Sequence, residues 1–301
     1  MSVEAGVEWR EATGREIRAF YRHEFPEYVD RLPEWITPAD PEEFAVALDR
    51  RYPVAGDGGS AGRTRQFIRR STRTNAGPVF PDWDAVTDLF RSPARTDPLR
   101  EGGRGGMALA DPDATPDLDA PVPEAVYYSL VNHERFWPLV FDIDAKDVAA
   151  DAVREAGDDR TDEEVRHDAG IVDAPPTGYP YRYRDVDGAI DYAFDLAEWL
   201  ESALDFSDTR VIYSGQGAHV YGLDDDRMHR YTEQSRKFLT TVVSDRLGIP
   251  IDEQVTTDER RVVRMPHSLH ADVSRVVTPI ESREFDFRAA ARPGFLGGDA
   301  A

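Results

Sequence analysis

The sequence predicts a protein of the α/β or α+β class, with two long helices packed on one face of a sheet. Short runs of β-branched and aromatic residues recur along the chain. Two long amphipathic segments interrupt them, near Val186 to Leu204 and near Asp226 to Leu247. Strands that alternate with helices in this way build a layer of helices against a sheet.

Residues 1–123 are predicted to form an N-terminal α/β module. Thr13-Gly14-Arg15-Glu16 has the form of a capping box and predicts the start of a helix. The expected elements are a helix near 14 to 25, a helix from Glu42 to Arg50, a strand from Thr64 to Arg70 and a helix from Trp83 to Phe90. The Pro-, Gly- and Asp-rich stretch from about 93 to 123 predicts a flexible linker.

Residues 124–288 are predicted to form the core of one compact unit, followed by a tail at 289–301. Its expected strands are Val126 to Val131, Pro138 to Asp144, Arg210 to Tyr213, Ala218 to Tyr221 and a final pair near Arg261 to Met265 and Ser274 to Ile280. An acidic segment, Ala145 to Asp173, separates the second of these strands from the first long helix.

The composition is strongly acidic, with 58 Asp and Glu against 36 Lys and Arg and a net charge of -22. Lysine occurs only at Lys146 and Lys237. An acidic, lysine-poor surface is typical of halophilic proteins, which work where the Debye length is about 3 Å. In such salt the net charge does not exclude a nucleic-acid ligand, because only local arginine clusters act on it.

Cysteine is absent, which excludes disulfides, thiolate zinc sites and cysteine nucleophiles. The first residues are acidic and lack an apolar core, and no segment approaches the roughly 20 apolar residues of a membrane span. We therefore expect a soluble, cytoplasmic protein without a membrane partner.

The apolar run Leu139 to Ile143 carries two aspartates, Asp142 and Asp144, one residue apart. In a strand, side chains two positions apart share a face, so both carboxylates are expected on one side. Phe141 and Ile143 then face the core. This pattern can hold a metal, but it also occurs in phosphatases, glycosyltransferases, polymerases and ordinary surface strands.

A second motif runs from Ser214 through Gly215 to His219, directly after a predicted strand. Its glycines predict a tight turn whose backbone N–H groups can approach an anion. No helix begins there and the third glycine of a dinucleotide fingerprint is missing. A plain hairpin turn with an ordinary histidine is the alternative interpretation.

A third motif combines Asp252, at the end of an apolar stretch, with Arg264 and His270 on either side of a proline loop. Arginine binds phosphate bidentately, and imidazole can donate to a phosphate oxygen. Solvated surface side chains are the alternative interpretation of this motif.

The densest basic patch in the sequence consists of Arg65, Arg69, Arg70 and Arg73. It is a candidate for contact with template or nucleotide phosphates, and local charge balance is the alternative interpretation.

The order of these motifs resembles that of the archaeo-eukaryotic primase superfamily, and in particular of its small catalytic subunit. The segment from Pro250 to His270 carries most of this resemblance. The likeness covers residues 125 to 282 best. Gln216 stands where the family commonly has arginine, and the family's zinc knuckle is missing. The resemblance thus implies a minimal primase-polymerase core with an RRM-like mixed sheet, and no zinc is expected.

The resemblance also implies a function and a site. The chain would synthesise primers on single-stranded DNA from NTPs or dNTPs, together with a large primase subunit or a helicase. Asp142, Asp144 and Asp252 would hold two Mg or Mn ions. Ser214, Gly215, His219, Arg264 and His270 would bind the nucleotide.

Two other hypotheses remain open. A haloacid-dehalogenase-like phosphatase also has Asp-X-Asp after an apolar strand, although Lys146 stands where such enzymes have Thr or Val, and only Lys237 could serve as the second lysine. A catalytically inactive primase-like module that binds nucleotide or nucleic acid is the other.

Overall fold

The computed structural model of the protein describes residues 10–29, 42–48, 67–71, 123–131, 137–155, 181, 183–223 and 231–296. They form an α+β fold built on antiparallel sheets. The helices are α1 Gly14–Ala19, a π-helical turn Phe20–Glu24, α2 Phe25–Val29, α3 Ala145–Glu155, α4 Tyr183–Leu204, α5 Glu233–Leu247, α6 Glu253–Thr257, α7 Phe287–Ala290 and a 3-10 turn Gly294–Leu296. The strands are β1 Glu43–Leu48, β2 Phe67–Ser71, β3 Pro123–Ser129, β4 Leu139–Asp144, β5 Asp208–Tyr213, β6 Gly217–Leu223, β7 Val262–Arg264, β8 Leu269–His270, β9 Arg275–Val276 and β10 Thr278–Ile280.

The N-terminal module begins as its sequence predicts and then departs from it. The capping box is confirmed, because the Thr13 hydroxyl accepts from the Glu16 amide and the Glu16 carboxylate accepts from the Thr13 amide. The prediction of a helix from Glu42 to Arg50 is wrong, since this segment forms strand β1. Phe44, Ala45, Val46 and Ala47 are all buried there, and burial between two strands overrides their helix propensity.

Two four-stranded sheets organise the described part of the chain. The first has the order β2-β1-β3-β7 and the second the order β10-β5-β6-β4. Every strand pair among the described residues is antiparallel, whereas the resemblance implied a mixed sheet. That expectation is therefore wrong for this part of the chain. The two final strands do not pair with each other, because β7 joins the first sheet and β10 joins the second.

Apolar side chains cover both faces of the second sheet. Phe141 and Ile143 of β4 pack with both long helices, α4 and α5, as the sequence predicts. Val140 and Tyr221 face the other way, into a second core with the N-terminal helices and the first sheet. The second sheet is therefore held in a fixed position, with a polar cleft between it and the first sheet.

Other predictions meet the structure only in part. The helix predicted at Trp83 to Phe90, the linker before residue 123 and the acidic stretch after Glu155 lie outside the described residues. The acidic segment begins as helix α3, which its sequence did not predict. The division at residue 123 stays a prediction. No helix in the described ranges is long and apolar enough to cross a membrane.

Candidate functional site

A cleft of about 510 Å³ lies between the two sheets. It collects eight of the side chains predicted from the sequence as site residues. They come from separate segments of the chain and are Arg69, Asp142, Asp144, Ser214, His219, Asp252, Arg264 and His270. Residues more than 120 positions apart thus share one cavity.

Strand β4 places Asp142 and Asp144 on the wall of the cleft. Alternation along the strand buries Phe141 and Ile143 completely and leaves both aspartates partly exposed. The register of β4 against β6 sets Asp142 opposite His219, and the His219 Nε2 lies 3.4 Å from the Asp142 Oδ1. The orientation expected for the aspartate pair is therefore present.

The outer edge of β4 places the third aspartate. Since β4 is the last strand of its sheet, its outward carbonyls need donors from elsewhere. Three successive outward carbonyls receive them: Pro138 O from Arg236 Nη1 at 3.0 Å, Val140 O from the Thr256 hydroxyl at 2.6 Å, and Asp142 O from the Asp252 amide at 2.9 Å. Asp252 is thereby attached to the backbone of Asp142.

Arg236 strengthens this attachment from the core. It is fully buried, its guanidinium lies 3.6 Å from the Trp137 ring centre, and it also donates to the carbonyls of Trp137 and Thr256. Helix α5 is thereby joined to the start of β4 and to α6. Neither Arg236 nor Thr256 stood out in the sequence, because their roles depend on which strand lies at the sheet edge.

The glycine turn closes one end of the cleft. Gly215 has a φ of 104°, and a Cβ added there would lie 2.6 Å from the Cβ of His270. Only glycine allows His270 to pack this closely against the turn. The Tyr213 hydroxyl donates to the Gly215 carbonyl at 2.7 Å, and this hydrogen bond stabilises the turn. Ser214 and His270, predicted from separate motifs, therefore face the same space.

Charge in the cleft is divided between two sides. Burial raises the pKa of Asp142 well above its usual range, and the nearby charges of Asp144 and Asp252 raise it further. Burial lowers the pKa of His219 to about 4, with the positive Arg264 adding to the effect, so this imidazole is neutral at pH 7. On the carboxylate side Lys146 supplies a positive charge, because its Nζ lies 2.5 Å from the Asp144 Oδ2.

Arginines line the opposite side. Arg264 lies 5.0 Å from the ring centre of Tyr127, its cross-strand partner in the first sheet. Arg69 donates to Glu43 and to the carbonyl of Arg260, each at 2.6 Å. Of the predicted basic patch, Arg69 lines the cleft, whereas Arg65, Arg73 and the side chain of Arg70 lie outside the described residues.

Two further arginines of this side, Arg260 and Arg261, were missed at the sequence level. Both line the cleft, and the Arg261 Nη2 lies 3.9 Å from the Asp252 Oδ2. The signal that could have found them is their position directly before β7, three and four residues ahead of Arg264. They double the number of cations near the predicted phosphate contact.

The donor set fits a hard divalent cation such as Mg or Mn, which prefers carboxylate oxygens. The Asp142 Oδ1 is buried and has no hydrogen-bond partner within the described residues, as expected of an atom available to a ligand. Within the described ranges, however, no three His, Asp or Glu side chains are already grouped around one point. Asp144 is turned to Lys146 and Asp252 to the amide of Gln254, so both would have to reorient to hold a metal.

Comparison with known proteins gives partial matches. An archaeal "uncharacterized DNA primase small subunit-like protein" from Archaeoglobus fulgidus is 32% identical over 104 residues, which is 34% of this chain and 36% of that protein. DNA primase small subunits from Halorubrum lacusprofundi and Picrophilus torridus are 54% identical over 37 residues and 48% identical over 42 residues. These two stretches cover 12% and 14% of this chain.

The chain therefore spans about a third of the length of the first relative and about a tenth of the other two, at 10% and 11%. No protein-family model matches the chain. Segments of this protein are thus similar in sequence to archaeal DNA primase small subunits, and the likeness as a whole is primase-like.

Proposed function

We propose that this protein is a template-directed nucleotidyltransferase of the DNA primase or primase-polymerase type. The observation that carries the proposal is the meeting of Asp142, Asp144 and Asp252 in one cleft that also contains arginines and a glycine turn. The partial likeness to DNA primase small subunits supports it. Its substrates would be NTPs or dNTPs, and its template single-stranded DNA.

The arginine side and the glycine turn of the cleft would bind the nucleotide and the template. Arg264 and Arg261 would hold the phosphates of the incoming nucleotide, because guanidinium groups match phosphate oxygens in geometry and charge. Ser214, the neutral His219 and His270 would add hydrogen bonds at the turn. Arg69, at the outer rim, would contact the phosphates of the template.

The carboxylate side provides the reaction centre. Asp142, Asp144 and Asp252 would hold divalent Mg or Mn. When bound, two such ions activate a 3′-hydroxyl and stabilise the leaving pyrophosphate. The attachment of Asp252 to the backbone of Asp142 keeps two of the three carboxylates in register. A large primase subunit or a helicase would be the protein partner of this activity.

Primer synthesis by the purified full chain tests the proposal. We expect labelled primers on a single-stranded oligonucleotide with Mn in concentrated potassium chloride. Both ribo- and deoxyribonucleotides should be supplied, with and without a starting primer. No product under any of these conditions would overturn the proposal.

The same assay separates the other two hypotheses. Nucleotide that binds with Mn but is never incorporated would favour an inactive binding module. Release of phosphate from an aryl phosphate, without incorporation, would favour a phosphatase. The structure supports the phosphatase less well, since Lys237 is paired with Glu233 at 2.6 Å and does not line the cleft that holds the aspartates.

Thr256 offers a test of how Asp252 is positioned. Thr256→Val keeps the shape of the side chain but removes the hydrogen bond to the Val140 carbonyl. We expect kcat for nucleotide incorporation to fall about tenfold or more, while KM for the nucleotide changes little. Thr256→Ser, which keeps the hydroxyl, should restore kcat, and equal kcat values for the Val and Ser variants would contradict this role.

A further inference from the structure

Arg275 is a fully buried arginine that forms no salt bridge within the described residues. Its Nη1 donates to the carbonyls of Ser274 at 2.8 Å and Val273 at 3.4 Å. Its Nε and Nη2 are buried and have no hydrogen-bond partner in the described part of the chain. A buried charge that is neither paired nor fully hydrogen-bonded is costly, so this guanidinium requires a partner.

The two unsatisfied nitrogens belong to one edge of the guanidinium. The Nε–H and Nη2–H bonds point to the same side, and this edge grips carboxylates and phosphates in a fork. A single acceptor placed there would satisfy both groups. The geometry of the side chain therefore fixes where such an acceptor would lie.

A second arginine lies near Arg275, and its charge acts on it. The Val276 amide donates to the Ala291 carbonyl at 2.8 Å, so the backbones of Arg275 and Arg292, which are adjacent in sequence to these two residues, are close. Arg292 donates from Nη2 to the Leu296 carbonyl, but its Nε is also buried and has no hydrogen-bond partner among the residues that the structure describes. Burial, together with the charge of Arg292, lowers the pKa of Arg275.

Asp286, the carboxylate whose charge acts on Arg275, is engaged elsewhere. Asp286 caps helix α7, where its Oδ1 accepts from the Arg288 amide at 3.0 Å and lies 3.8 Å from the Arg288 Nη1. The other side chains that act on Arg275, Tyr213 and Tyr183, carry hydroxyls and not carboxylates. Two neighbouring positive charges that form no ion pair with a carboxylate of the described residues favour an anion over a water molecule as the missing partner.

We propose that Arg275 and Arg292 form a binding site for a small monovalent anion, with chloride as the ligand. The three unsatisfied nitrogens are all enclosed, which favours a monatomic ion over sulfate or phosphate. The site lies next to the cleft, because Arg275 pairs with His270 between β8 and β9. It does not depend on the nucleotidyltransferase activity proposed above.

Bromide crystallography tests the site directly. Crystals of the full chain grown in sodium bromide should show a bromine anomalous peak within hydrogen-bonding distance of the Arg275 Nε and Nη2. A water molecule there, or no anomalous peak, would overturn the proposal.

Thermal unfolding tests it in solution. At equal ionic strength, potassium chloride should give a Tm about 3 to 5 °C higher than potassium glutamate, once chloride exceeds its dissociation constant about tenfold. Arg275→Met should abolish this difference. Arg292→Met should reduce it and serves as the second variant if Arg275→Met does not fold.

Arg236→Met is the matched control. Arg236 is also fully buried, but each of its guanidinium nitrogens has a carbonyl acceptor. The variant should be less stable yet keep the difference between chloride and glutamate. If Arg275→Met keeps the Tm difference between chloride and glutamate, the proposal is overturned. It is also overturned if potassium sulfate stabilises the protein as strongly as chloride does and Arg275→Met abolishes that stabilisation.

Discussion

Asp142→Asn is expected to reduce nucleotide incorporation by about 10³-fold or more without lowering stability. The substitution removes a charged oxygen from the centre of the carboxylate group, which is where metal-assisted phosphoryl transfer needs it. The same charge is unfavourable for folding, because burial and the neighbouring Asp144 and Asp252 raise the pKa of Asp142. Neutral asparagine relieves this repulsion, so the Tm of the variant should equal or exceed that of the parent.

Asp245→Asn is the matched control for this variant. Asp245 is exposed on helix α5 and does not line the cleft, so the same change of charge there should leave incorporation unaltered. Gel-based incorporation assays and thermal unfolding measure both quantities on the same preparations. Full activity in Asp142→Asn would remove Asp142 from the reaction centre, and a lower Tm would contradict the electrostatic account.

Gly217→Ala is expected to destabilise the protein by about 3 kcal/mol, which lowers the Tm by roughly 6 to 12 °C. A Cβ at Gly217 would lie 2.1 Å from the Ile143 carbonyl oxygen and 3.1 Å from the Asp144 Cα. Both are backbone atoms, so β4 and β6 must separate to admit it. Because Asp144 sits opposite Gly217 in the register, incorporation should fall together with stability.

Gly248→Ala distinguishes this clash from a general cost of replacing glycine. Gly248 has a φ of 66° at the end of helix α5, but an added Cβ there has no atom within 4 Å. Its substitution should cost about 1 kcal/mol through backbone strain alone and leave incorporation intact. If the two variants unfold at the same temperature, the close approach at Gly217 is not the cause.

The elements that position Asp142 and Asp144 could be predicted because their signals are local. Alternation along Leu139 to Asp144 and the glycine turn before His219 each reflect a pattern within a few residues. The capping box at Thr13 is local in the same way. Strand β1 could not be predicted, because its Glu, Ala and Leu residues favour a helix until β2 and β3 pair with it.

The other residues that form or support the cleft could not be predicted, because their positions depend on long-range contacts. Strand β7 has only three residues, and no local pattern shows that it pairs with β3. The edge position of β4 explains why Thr256 and Arg236 matter, and that position follows from the topology of the whole sheet. Arg260 and Arg261 become candidates only once β7 carries them into the cleft.

Template-dependent joining of two nucleotides tests the central claim most directly. The full chain is incubated with Mn, a homopolymeric single-stranded DNA, and either the complementary or a non-complementary labelled nucleotide. We expect dinucleotide and longer products from the complementary nucleotide alone, and none from Asp142→Asn under the same conditions. Equal products from both nucleotides, or products that persist in Asp142→Asn, would contradict a templated reaction at these three aspartates.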